Sequence, residues 1–196
     1  DALHPGGHAA GARDSRALNV DTRSARPLRG PQRHSHDTCH PMAQATIARM
    51  PWDHPQPFTL PATPQAHDID GLNHTNNAVY VQWCERVAWA HSQALGLDLH
   101  DYHRLNRAMA IRRSEYDYLL PSVLGDALTL GTWLVASDGK LTMERRFQLI
   151  RNSDQATLLR GRWDLVCIEL GSGKPRRMPE EFCRIYLPAL TAQQDG

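Results

Sequence analysis

One segment limits the choice of fold more than any other. Over residues 78–95, Tyr80, Trp83, Cys84, Val87, Ala88, His91, Ala94 and Leu95 recur at three- and four-residue intervals. That is the period of an α-helix carrying one broad apolar stripe. Asn77 stands where an N-cap belongs, and Gly96 where a helix stops. A stripe this wide must be covered. Four strand-like runs follow, at 108–119, 126–136, 141–150 and 157–170. The third is entered through Ser137-Asp138-Gly139 and the fourth through Asn152-Ser153-Asp154, both turn-forming. Tyr116 and Tyr118 share one face of the first. Short connections predict an antiparallel meander. One long helix plus such a sheet predicts an α+β fold, the curved antiparallel sheet wrapping the helix. Residues 58–66 are also strand-like, but Pro61 and Pro64 demote them to an edge or irregular strand.

Ahead of this region the composition changes. Residues 1–56 are rich in Gly, Pro, Arg, His and Ala and poor in large apolar side chains. Such a segment cannot offset its ordering entropy by burial, so it is expected to be disordered. Met42 or Met50 is expected to be the natural start, with residues 1–41 upstream of it. One domain is expected over 57–190, with a tail at 191–196. Apolar residues make up 41% of the chain, enough for a normal core. A net charge of +1 gives no reason to expect nucleic acid or an anionic membrane as partner. No apolar run approaches the roughly 18 residues that span a bilayer, and no secretory apolar region opens the chain. Cys39, Cys84, Cys167 and Cys183 form no C-x-x-C pair. A cytoplasmic protein with reduced thiols is the simplest expectation.

Metal and nucleotide chemistry find little support. His34, His36, Cys39 and His40 cluster in the N-terminal segment, but their spacing matches no zinc module. A calcium loop starting at Asp68 would need Gly at its sixth position and Glu at its twelfth; Asn73 and Val79 stand there. The phosphate-loop, dinucleotide and Gly-x-Ser-x-Gly motifs are missing, which argues against an α/β-hydrolase. No cofactor or metal is expected.

Between the edge strand and the helix lies Asp68-Ile69-Asp70-Gly71-Leu72-Asn73-His74-Thr75-Asn76-Asn77-Ala78-Val79-Tyr80. This stretch resembles the signature of hotdog-fold acyl-CoA thioesterases of the 4-hydroxybenzoyl-CoA thioesterase type, D-x-D-x-x-G-H-V-N-N-x-x-Y. Asp68, Asp70, His74, Asn76, Asn77 and Tyr80 stand in register. Asn73 replaces the family's Gly, and Asn is the side chain that best tolerates a left-handed backbone. Tyr118-Leu119-Leu120-Pro121 with Gly125-Asp126 is similar to the family's Y-L-x-P-x-x-x-G-D turn. The resemblance covers roughly residues 58–187.

The resemblance implies a hotdog domain that hydrolyses an acyl-CoA to free acid and CoA. Asp70 would be nucleophile or general base. A carboxylate is a weak base at neutral pH, so direct attack giving a mixed anhydride is a serious option. The Asn77 backbone N–H would bind the oxyanion. His74 and Tyr80 are expected beside the substrate, and relatives often carry a carboxylate at Glu85. Lys140 occupies the turn where relatives place basic contacts to CoA. Of Arg145 and Arg146, strand alternation lets only one face the site. Met109, Ile111 and Trp83 are candidates to shape the acyl tunnel, although Trp83 and the rest of the stripe are core by default. The resemblance also implies a homodimer or homotetramer with sites at the subunit interface, Lys140 or a nearby Arg reaching CoA from the other subunit. An acyl carrier protein is the alternative carrier. Plainer readings stand beside these: Asp70 as a loop carboxylate capping amides, Tyr80 as packing, Lys140 as a hairpin lysine. A hotdog hydratase or dehydratase and a non-catalytic acyl-CoA-binding module are the rival functions.

Overall fold

The structure is a computed structural model that describes residues 51–191. The expectations placed on residues 1–50 and 192–196, including the His34–His40 cluster, Cys39 and the two candidate start methionines, lie outside the described residues.

The elements run β1 (Phe58–Ala62), a 3₁₀ turn (Ala66–Asp68), α1 (Asn77–Ala94), α2 (Leu99–Leu105), β2 (Arg107–Tyr118), β3 (Leu128–Ser137), β4 (Thr142–Arg151), β5 (Thr157–Glu169) and α3 (Glu180–Tyr186). α1 is the long striped helix. Its buried face is Val79, Tyr80, Trp83, Cys84, Val87, Ala88 and Ser92, while Ala94 is exposed. Its cap is Asn76 and not the expected Asn77: the Asn76 side chain accepts the Ala78 amide, and Asn77 is already helical. Gly96 ends it at φ +98°, with Gly96 N–H donating to Gln93 O and Leu97 N–H to Ser92 O. This is a Schellman closure, and the fully buried Leu97 seals it.

All strand pairs are antiparallel, in the order β1-β3-β4-β5-β2. The expected meander holds for β3, β4 and β5. β2, however, pairs with β5 and not with its sequence neighbour β3. The connection between them crosses the sheet end: Leu119 N–H donates to Leu158 O, Arg151 reaches Pro121 O, and Asn152 N–H donates to Ala127 O. Three register shifts, at Ile111/Arg113, Leu134/Ala136 and Leu149/Ile150, mark bulges that bend the sheet. α2 and α3 were not expected; at seven residues each they are too short to show a helical period.

One sheet face carries Leu128, Leu130, Leu134, Met143, Phe147, Leu149 and Leu165 and packs into a common core with α1. Each such side chain contributes roughly 1.5–3 kcal/mol when fully buried. Alternation turns Trp133 and Gln148 to the opposite face. There residues 51–56, which were expected to be disordered, lie as a strap. Trp133 Nε1 donates to Pro55 O, Gln148 bonds Pro51 O and the Asp53 amide, and Arg160 pairs with Asp53. Trp52 packs edge-on against Trp133, with ring centroids 5.7 Å apart. Among the described residues no helix is long and apolar enough to cross a membrane.

Candidate active site

The loop between the 3₁₀ turn and α1 is organised by its own polar groups. Asp68 is buried and its side chain accepts the Gln65 amide, while its carbonyl accepts the Asn76 amide. Asp70 and His74 close a small ring: Asp70 N–H donates to His74 O at 2.8 Å, and Asn73 N–H to Asp70 O at 3.1 Å. Asn73 sits at φ +62°, the left-handed region that explains Gly in the family pattern.

Asp70 is half-buried. Its Oδ1 accepts the Leu72 amide at 2.8 Å and the His74 amide at 3.3 Å. Its Oδ2 has no partner among the described residues. One carboxylate oxygen is therefore held by the loop and the other is open. Asn77 is the first residue of α1, and its amide is one of the four that an α-helix leaves unpaired. Asn76 takes the Ala78 amide with its side chain and the Val79 amide with its carbonyl. The Asn77 amide keeps no acceptor among the described residues. It carries the positive end of an 18-residue helix.

The opposite wall comes from the end of β2 and the turn after it. Asp70, His74, Asn77, Tyr118, Leu119 and Pro121 line one cleft of about 360 Å³. Tyr118 Oη donates to Asn77 O at 3.4 Å. The two walls are pinned by Ser122, fully buried, whose Oγ lies 2.7 Å from Thr75 Oγ1 and 2.9 Å from Tyr80 Oη. Ser122 N–H donates to Tyr80 Oη at 3.0 Å. Gly125, at φ +81°, lets its amide reach Pro64 O. Asp126 accepts the Val123 amide and pairs with Arg151.

Of the sequence-expected site residues, Asp70, His74 and Asn77 come together in the cleft. His74 is exposed there. Tyr80 also borders it, but its ring is buried and its hydroxyl is committed to Ser122, so it positions the wall. Lys140 stands elsewhere. Tyr118, at the cleft, pairs with Leu159, whereas the strand that follows Lys140 begins opposite Val166. Seven residues of β5 separate those positions, about 23 Å at ~3.3 Å per residue. Within one chain Lys140 is thus at the far end of the sheet. Sequence reasoning missed Ser122; its signal was its place directly after the Tyr-Leu-Leu-Pro turn. Met109 and Ile111 line a second cleft beneath α1, where Glu85 also lies exposed at the rim. Trp83 is core.

An antiparallel five-stranded sheet packed against α1, with this signature loop at the helix start, defines an α+β hotdog architecture. Residues 64–185 match the model of the thioesterase-like superfamily, and the chain belongs to that superfamily. Its fold is similar to that of a Staphylococcus aureus protein solved in complex with CoA, with TM-score 0.64 and 21% identity over 72% of this chain and 90% of the other. It is also similar to a 1,4-dihydroxy-2-naphthoyl-CoA thioesterase from Synechocystis, with TM-score 0.58 and 18% identity over 65% and 95% of the two chains. A 12:0-ACP thioesterase from Umbellularia californica matches at TM-score 0.63 and 15% identity, over 69% of this chain and 54% of the other. No curated protein matches the chain.

Proposed function

We propose that this protein hydrolyses an acyl-CoA thioester to the free acid and CoA. The observation that carries the reading is the pairing, in one cleft, of a free helix N-terminal amide at Asn77 with a half-buried carboxylate at Asp70 whose Oδ2 is open. The thioester carbonyl sits with its oxygen toward the Asn77 N–H. Attack at the carbonyl carbon moves the π electrons onto that oxygen, and the amide and helix dipole stabilise the charge. One such donor is typically worth ~3–4 kcal/mol in the transition state. In the nucleophilic route, Oδ2 bonds to the carbonyl carbon, the C–S bond breaks and CoA leaves as thiolate. Water then cleaves the mixed anhydride. In the general-base route, Oδ2 takes a proton from the water that attacks the carbonyl carbon, and the C–S bond breaks as the intermediate collapses to the acid and CoA thiolate. The loop bonds to Oδ1 aim Oδ2 in either case.

The working unit in this proposal is at least a homodimer. α1 is the central helix that the sheet wraps, and β2 is the exposed edge strand of that sheet. An uncovered edge of twelve residues is a template for pairing with a second copy. Antiparallel pairing of β2 with its copy brings the Lys140 end of one subunit toward the Asp70 end of the other. That is the arrangement in which Lys140 meets a CoA phosphate and His74 lies beside the bound thioester. Free Cys84, Cys167 and Cys183 fit a cytoplasmic setting.

The loop bonds to Asp70 Oδ1 would serve a non-catalytic acyl-CoA-binding module equally well. A panel of acyl-CoAs, with released CoA detected as free thiol and binding measured in parallel, separates the two. Hydrolysis of at least one member is expected. Binding without thiol release gives the chain to the binding module, and activity only on acyl carrier protein thioesters changes the carrier.

A further inference from the structure

Strand alternation sends Arg146 to the outer sheet face, where it pairs with Glu144. It sends Arg145 inward, toward α1. Arg145 is 2% exposed and makes no ion pair among the described residues. A guanidinium so placed is unusual, because a buried charge is costly unless it is paired. Burial lowers its pKa to about 10, so it stays protonated at neutral pH. Two neutral groups partly serve it: Nη1 lies 3.0 Å from His91 Nδ1 and donates to Thr132 Oγ1 at 3.2 Å. Its Nε and Nη2, the edge that grips a carboxylate side-on, have no acceptor among the described residues.

Neither nitrogen is among the sealed-off atoms that lack a partner. Only Arg107 Nε and Gln155 Oε1, among the described residues, are polar side-chain atoms sealed away without a partner. Arg145 lines a cleft of about 240 Å³ between α1 and the sheet. Beside it are the hydroxyls of Tyr102 and Tyr186, 2.5 Å apart, with Tyr186 donating to Ser92 Oγ at 3.0 Å. The other walls are apolar, including Met109, Ile111, Met143 and Trp163. Glu85 is the one carboxylate on the lining. It is exposed and stands seven residues, about 10 Å of helix rise, before Ser92 on α1.

We infer that this cleft is a binding site for an organic carboxylate with an apolar body. The carboxylate takes the free Nε/Nη2 edge of Arg145, and the hydrocarbon lies along Met109, Met143 and Trp163. The anion supplies the counter-charge that the fold leaves out. A neutral body of the same shape fits the walls but leaves the guanidinium unpaired.

Titrating hexanoate, hexanamide and hexylammonium into the full chain, read by the fluorescence of Trp89 and Trp163 in the cleft, tests this. Hexanoate is expected to bind at least tenfold more tightly than hexanamide, and hexylammonium not to saturate. Arg145→Met is expected to erase the preference for hexanoate while still unfolding cooperatively, since an apolar replacement of a buried ion is often well tolerated. Arg145→Lys lacks the Nε/Nη2 edge, and a buried lysine loses its charge readily, so its preference for hexanoate is expected to shrink. Equal binding of hexanoate and hexanamide to the wild type overturns the inference, and so does an undiminished preference in folded Arg145→Met. If Arg145→Met does not fold, the wild type and Arg145→Lys decide, and an undiminished preference in folded Arg145→Lys counts against it. None of these outcomes depends on thioester hydrolysis.

Discussion

The Asn76 side chain accepts the amide of Ala78 at 2.9 Å, and this one bond divides the start of α1 into a capped part and a free part. Ala78 and Val79 are satisfied by Asn76. Asn77, which stands just before them, is not, and its N–H has no acceptor among the described residues.

Asn76→Ala should therefore act through stability. Loss of an N-cap costs about 1 kcal/mol. A lowered midpoint in urea with an unchanged slope is the expected result. Asn77→Ala should leave turnover within a few-fold of wild type, because the donor there is main chain. Circular dichroism melts and steady-state kinetics on the two variants separate the roles.

Tyr80→Phe removes the acceptor of the Ser122 amide and a partner of its hydroxyl, both inside the protein. An unsatisfied buried donor costs about 1–3 kcal/mol. Chemical denaturation should show that loss. Ser122→Ala removes one hydroxyl from the same network and should cost less.

Gly131 marks where the strap crosses β3. A Cβ there would stand 2.7 Å from a ring carbon of Trp52. Gly131→Ala should destabilise the fold by roughly 1–3 kcal/mol, the usual cost of overpacking. Trp52→Ala should relieve part of that cost. A double-mutant cycle measured by urea unfolding would give a coupling of at least ~0.5 kcal/mol. Strict additivity would mean the strap does not press on Gly131.

His91 gives the fold an acid sensitivity. Desolvation first, then the Arg145 charge, lowers its pKa from 6.5 to about 4. Between those values the unfolded chain binds the proton and the folded chain does not. Stability is therefore full above about pH 6.5 and falls on acidification until about pH 4. His91→Gln keeps an acceptor for Arg145 and cannot titrate. Its unfolding free energy should show a shallower decline over that interval.

Much of this was legible in the sequence because it rests on local chemistry. The α1 stripe and Gly96 as its stop follow from backbone rules that act within a few residues, and the family resemblance marks Asn73 as a stand-in for Gly. The cap was placed one residue late because Asn76 and Asn77 are equally good caps, and only the carbonyl of Asp68 holding the Asn76 amide decides between them. The position of β2 was not readable: the pairing with β5 depends on a connection anchored by Leu158, Arg151 and Asn152, far away in sequence. The strap was missed for a different reason. Its composition is that of a loop, and its few contacts, Trp52 on Trp133 and Asp53 on Arg160, are with distant partners. Alternation showed that one of Arg145 and Arg146 must point inward, but not that it would be left without a carboxylate.

The most direct test of the central claim is Asp70→Asn, assayed by free-thiol release on the best acyl-CoA substrate. The replacement is nearly isosteric, and its side-chain oxygen can keep the loop bonds to the Leu72 and His74 amides. What it loses is the negative charge on Oδ2. Turnover is expected to fall at least ~100-fold, the lower end of what a positioned catalytic group contributes, with the melting temperature little changed. An Asp70→Asn enzyme that stays fully active would contradict the account.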